Sequence, residues 1–112
     1  MTYTDRDLLE LAAASVNMRV GGWALDTTKG MRLQDEYGDF LCFWNPLKDD
    51  ADNRQLQVQL NLALIPGAGG GWDAVSYDSE TYEEKIVVSG IEPNRAVVTA
   101  AAIIGKNKQD LL

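Results

Sequence analysis

The chain has 112 residues, 46% of them apolar and 24% charged, with ten Lys and Arg against 17 Asp and Glu and a formal charge of −7. That length and mix suit one small globular domain, and the negative balance opposes nonspecific contact with nucleic-acid phosphates or anionic membranes. There is no His and a single Cys, so no imidazole base, no Ser-His hydrolase, no internal disulfide and no multi-cysteine zinc site is available.

Thr4 and Asp7 have the spacing of a capping box, and Asp5, Asp7 and Glu10 place negative charge in the first turns. Leu8, Leu11, Ala12 and Ser15 then share a face. A helix is predicted over residues 5–16, ending before Gly21 and Gly22. From Met18 onward the pattern becomes alternating and is interrupted by two turn segments, 26–30 and 35–39. Two or three antiparallel strands joined by hairpin loops are expected. The run Phe40-Leu41-Cys42-Phe43-Trp44 reads as a buried strand, with Cys42 as a structural thiol. Trp23, Phe40, Phe43, Trp44 and Trp72 are the bulky core candidates.

Asn45 and Pro46 stop that strand, and Asp49 or Asp50 can cap a helix after it. Residues 55–64 carry two patterns at once. Leu56, Val58, Leu60, Leu62 and Leu64 alternate with polar residues, as in a strand. Leu56, Leu60 and Leu64 are also four apart, and Leu and Gln favour helix. The reading taken is a helix over residues 50–61 running into a short strand near Leu64.

Residues 66–71 contain four glycines after Pro66 and read as a flexible surface loop. This loop lacks the Lys-Ser/Thr of a phosphate-binding loop. Residues 72–82 mix aromatics with Asp and Ser and receive no element. Residues 85–89 are β-branched and read as a strand that Gly90 ends. Pro93 marks a first helical turn. Val97, Ala100, Ala101 and Ile104 form its apolar face, Gly105 terminates it, and residues 106–112 make a mobile tail.

Three segments together resemble a known family. They are Leu8-Leu9-Glu10-Leu11-Ala12-Ala13, the stretch Trp44-Asn45-Pro46-Leu47-Lys48-Asp49-Asp50-Ala51-Asp52, and Arg95 through Lys106 with its Ala-rich centre. They are similar to the phage ABA-sandwich domain family of small phage and prophage proteins. The resemblance implies an α-β-α layered arrangement, a phage or prophage origin and a helix after Asp50. It brings no catalytic residues. The Gln alternation at 55–64 and the glycine-rich loop depart from the family pattern.

The expected fold is therefore α+β: a single small domain with an antiparallel sheet and three helices in an α-β-α layered arrangement. The expected function is non-enzymatic binding in the host cytoplasm. The partner would be a host or phage protein with a basic surface, plausible in a host defence or nucleic-acid-processing system. No cofactor, direct nucleic-acid contact or membrane contact is expected, and self-association is compatible with the sequence. The candidate binding residues are Trp72, Asp73, Tyr77, Asp78, Glu80 and Tyr82, around the glycine loop and the acidic stretch that includes Glu83 and Glu84. The alternative is a divalent-metal carboxylate enzyme using Asp49, Asp50 and Asp52, or a structural or assembly protein of the phage. Helix capping is the competing role for those aspartates, and a solvated face for the acidic stretch.

Overall fold

The computed structural model describes residues 3–67 and 69–111. Helix α1 spans Asp5–Ser15, and the Thr4 and Asp7 capping box is formed in both directions. Its C-terminus is closed by Asn17 at φ +58°, with Asn17 N–H donating to Ala14 and Met18 N–H to Ala13. That is a Schellman closure with Asn in the left-handed position, so the stop lies four residues before the glycine pair.

Strands β1 (Val20–Trp23), β2 (Met31–Gln34) and β3 (Phe40–Trp44) follow as an antiparallel sheet in that order. Leu25 lies beyond β1 and is fully exposed. Helix α2 spans Asp50–Gln59 and also closes through Asn, with Asn61 at φ +54° and Leu62 N–H donating to Gln57. The helical reading of 50–61 and the strand near Leu64 are thus both present. Strands β4 (Ala63–Pro66), β5 (Trp72–Tyr77) and β6 (Glu84–Ile91) form a second antiparallel sheet, and helix α3 spans Pro93–Asp110. The class is α+β with three helices, and the strands divide into two sheets of three.

Five expectations are corrected. The apolar run at 40–44 is an edge strand: only Trp44 is buried, Phe40, Leu41 and Cys42 are exposed, and Phe43 is half-buried. Apolar content alone does not say whether a strand is central or at an edge. Cys42 is accordingly an exposed free thiol. Residues 72–77, given no element, form the central strand of the second sheet. Gly90 lies inside β6 and does not end it. Gly105 does not end α3, which continues through residues 106–110 expected to be mobile; Leu112, like Ala68 of the glycine loop, lies outside the described residues.

Gly105 is there for another reason. A Cβ at this position would meet the Leu11 carbonyl oxygen at 1.8 Å and the Ser15 nitrogen at 3.2 Å. Helices α1 and α3 therefore touch backbone to backbone, and the contact is lined by Ala12, Ala13, Ala101 and Ala102, all buried. Small residues let the axes approach, and the Ala-rich composition that looked like simple helix propensity is the packing device. Lys108 then reaches across to donate to the Ser15 carbonyl at 2.9 Å, satisfying an acceptor at the end of α1. The opposite side of α3 meets β5 and β6, where Ala74, Ile86 and Val88 face the core, with Leu64 of β4 beside them. Met31, Leu56, Val97 and Val98 are fully buried, and each stabilises the fold by roughly 1.5–3 kcal/mol.

Replacing Gly105 by Ala forces this helix pair apart. Gly105→Ala is expected to destabilise the protein by ~3 kcal/mol in urea unfolding, despite the higher helix propensity of Ala. A neutral or stabilising result would mean that the helices do not touch there.

Candidate functional site

The 44–52 corner is built from buried polar hydrogen bonds. Trp44 is 3% exposed and anchors the end of β3 in the core. Asn45 donates its side-chain Nδ2–H to the Thr28 carbonyl at 2.9 Å, and its backbone N–H donates to Asp52 Oδ2 at 2.9 Å. Gly30 is obligatory beside it: at φ +78°, a Cβ would sit 2.4 Å from the Trp44 carbonyl oxygen. Asn53 is buried and donates to the carbonyls of Pro46 and Asn94, tying the corner to the start of α3.

The three aspartates each have a separate partner. Asp49 caps α2 through the Asp52 N–H, Asp50 accepts from Asn94 Nδ2–H, and Asp52 takes the Asn45 N–H. The structure thus gives each a role in fixing the corner. Among the described residues, no group of three Asp, Glu or Cys side chains is placed to hold a metal ion. Burial raises the Asp52 carboxyl above its ordinary range; the Asn45 N–H bond opposes this rise and the neighbouring Asp49 charge adds to it.

Beside the corner lies a cleft of about 250 Å³ lined by Arg6, Trp23, Thr27, Asn45, Leu47 and Lys48, among others. The Arg6 guanidinium covers the Trp23 ring at 4.7 Å. Among the described residues, the buried Asn45 Oδ1 has no hydrogen-bond partner.

The six candidate binding residues do not form one patch. Trp72 pairs with Pro66 and Ile91 at the glycine-loop end of β5, whereas Tyr77 pairs with Glu84 at the other end. Six residues of strand separate the two ends by about 17 Å. Trp72 and Asp73 are half-buried at the first end, with Asp73 Oδ1 lying against Gly67. Tyr77, Asp78, Glu80 and Tyr82 are together at the second.

That second end is an ordered turn. Asp78 Oδ1 accepts from the Glu80 and Thr81 N–H groups, Asp78 N–H donates to Glu83, and Tyr82 N–H donates to Asp78. The Thr81 and Glu80 N–H bonds hold the Asp78 carboxyl below its usual range. Tyr82 has φ +60° and is 80% exposed. Tyr77 is also exposed, as are Glu80, Glu83 and Glu84.

A further cluster escaped sequence reasoning. On the outer face of the first sheet, Phe40 and Phe43 lie with ring centroids 5.0 Å apart. The Arg32 guanidinium sits 4.4 Å from the Phe40 centroid and 5.6 Å from that of Phe43, with Lys29 Nζ 5.1 Å from Phe43. Strict alternation would put residues 40 and 43 on opposite faces. The register gives Leu33 opposite Cys42 but Gln34 opposite Phe40, so Leu41 is a bulge that turns Phe40 onto the face of Phe43. A bulge carries no clear sequence signal, although Arg and Phe on neighbouring strands could have been noted.

Compared with protein-family models, curated proteins and solved structures, the chain matches none significantly.

The raised Asp52 carboxyl fixes a direction with pH. A group with a raised folded pKa favours the folded state while protonated, and that contribution is lost as pH rises through the folded value. Asp52→Asn, which imitates the neutral acid and keeps an acceptor for Asn45, is expected to exceed the parent in stability at pH 7. The difference should shrink as pH falls to about 4, near the ordinary carboxylate value. A difference that stays constant in urea unfolding across this range would contradict the assignment.

Proposed function

We propose that the protein is a non-enzymatic binder that uses the turn between β5 and β6 to engage a basic surface on a partner protein. The observation that carries this reading is the ordered turn itself. Two exposed tyrosines and three exposed carboxylates are held on one hairpin end by the Asp78 hydrogen bonds. Tyr supplies large contact area at low entropy cost, and carboxylates steer a basic partner toward it. Preordering lowers the cost of binding.

Tyr82 adds a second argument. A bulky residue at positive φ costs roughly 1–2 kcal/mol, which Gly at the same position would avoid. Its side chain points to solvent and contributes little to the core, so the strain is explained by what the ring does outside the molecule. Trp72 and Asp73, at the far end of the sheet, are set aside from this surface.

The resemblance of three segments to small phage and prophage proteins supports a phage or prophage origin and action in the host cytoplasm. In that setting the partner would be a host defence or nucleic-acid-processing protein, whose basic substrate-binding surface an acidic turn can occupy. No helix among the described residues is long and apolar enough to cross a membrane.

The test is affinity capture from host lysate with the parent and two variants. The parent should retain a basic protein in a salt-sensitive manner. Tyr82→Gly should gain stability, by ~1 kcal/mol, yet retain the partner at least tenfold less well. Glu80→Lys combined with Glu83→Lys should abolish capture with the fold intact. Equal capture by all three proteins, or capture by none, would overturn the proposal.

A further inference from the structure

We propose that the outer face of the first sheet is a binding platform for single-stranded nucleic acid, with Arg32, Phe40 and Phe43 as the stacking surface and Lys29 as the phosphate contact. This site is independent of the turn between β5 and β6.

Four observations converge on this face. The bulge at Leu41 brings Phe40 beside Phe43, producing two neighbouring rings where regular pleating gives one. Phe40 is 48% exposed, so this aromatic surface lies open to solvent. The planar Arg32 guanidinium spans both rings, and such a plane stacks on nucleobases as readily as an aromatic ring does. Beside Phe40 lies a hollow of about 100 Å³ lined by Gly21, Arg32, Gln34 and Gly38. Gly21 keeps its floor bare, since a Cβ there would stand 2.7 Å from Gln34 Oε1. The Gln34 amide offers a donor and an acceptor to a base edge.

The charge distribution selects the ligand. The ion pairs among the described residues are Arg95 with Asp5 and Lys106 with Asp110; Arg32 rests on the two rings, and Lys29 rests on Phe43 while its charge also acts on the Asp26 carboxylate. A planar, anionic ligand satisfies both the rings and the cations. Glu36 and Asp39 lie in the β2–β3 turn at the Phe40 end, and Asp35 there accepts from Tyr37 and Asp39 N–H groups. Repulsion from this turn keeps the phosphate at the Lys29 end, where it competes with Asp26 for the ammonium, and leaves the base on the Arg32–Phe40 stack. The hollow is too small to enclose a mononucleotide, so the ligand must continue across the open face as a strand does. The net charge of −7 opposes such binding over the whole surface, and affinity is therefore expected only at low salt.

Fluorescence anisotropy with a labelled 12-nucleotide oligo-dT at 20 mM salt tests the proposal. Saturable binding is expected, with a salt slope near −0.7, about 0.7 for the one phosphate contact at Lys29. Phe40→Ala should weaken binding by roughly 5- to 150-fold, the range for losing one base–aromatic stack, whereas Phe40→Tyr should retain it. Arg32→Ala should weaken binding through the lost stack, and Lys29→Ala should flatten the slope. Circular dichroism and urea unfolding establish that each variant folds. A Tyr77→Ala variant, on the other sheet, should bind the oligonucleotide normally. No saturable binding, binding unaffected by Phe40→Ala and Arg32→Ala, or equal displacement by free dTMP or by an acidic peptide would each overturn the proposal.

Discussion

The backbone contact between α1 and α3 at Gly105 is the constraint on which the rest of the structure depends. With no side chain at 105, the Leu11 carbonyl lies against the α3 backbone, closer than any Cβ would permit. The two helices then bury Ala12, Ala13, Ala101 and Ala102 between them and leave the opposite side of α3 for the second sheet. Close packing matters more in a chain of 112 residues than in a larger one, because a small domain buries a smaller share of its surface. The Lys108 bond to Ser15 extends this contact to the last turns of α3.

The Trp44–Asp52 corner performs the second joining task. It connects the first sheet to α2 and α3 through buried amides: Asn45 reaches Thr28, and Asn53 reaches both Pro46 and Asn94. Buried polar groups of this kind fix one arrangement, since a displaced amide would leave unsatisfied partners. Asp49, Asp50 and Asp52 serve this geometry. Their acidity, which invites a metal reading in the sequence, is consumed by the Asn45 N–H after β3 and by N–H groups of Asp52 and Asn94 at two helix starts.

Much of this was legible in the chain. The capping box at Thr4 and Asp7, the helix after Asp49 and the Pro93 helix start rest on local hydrogen-bonding chemistry, and local chemistry is what a sequence displays. The misreadings share a different cause. Gly105 read as a stop because its close approach to α1 involves a residue some ninety positions away. The strand at 40–44 read as buried because its place at the sheet edge depends on sheet order. Trp72 and Tyr82 read as one surface because residues 72–82 received no element, whereas β5 carries the chain across the sheet between them. The Phe40–Phe43 face was hidden by a bulge, which reverses the expected alternation.

Both proposed surfaces belong to sheet edges, turns and outer faces, while the helices and the inner faces of the two sheets supply the core. Site-resolved hydrogen exchange tests this division most directly. The account predicts the slowest exchange in α1 and in α3, with protection continuing past Gly105 through the turn that carries Lys108. Residues 106–110 exchanging as fast as the surface loops would show that α3 ends at Gly105, and would contradict the helix contact from which the rest of the structure is built.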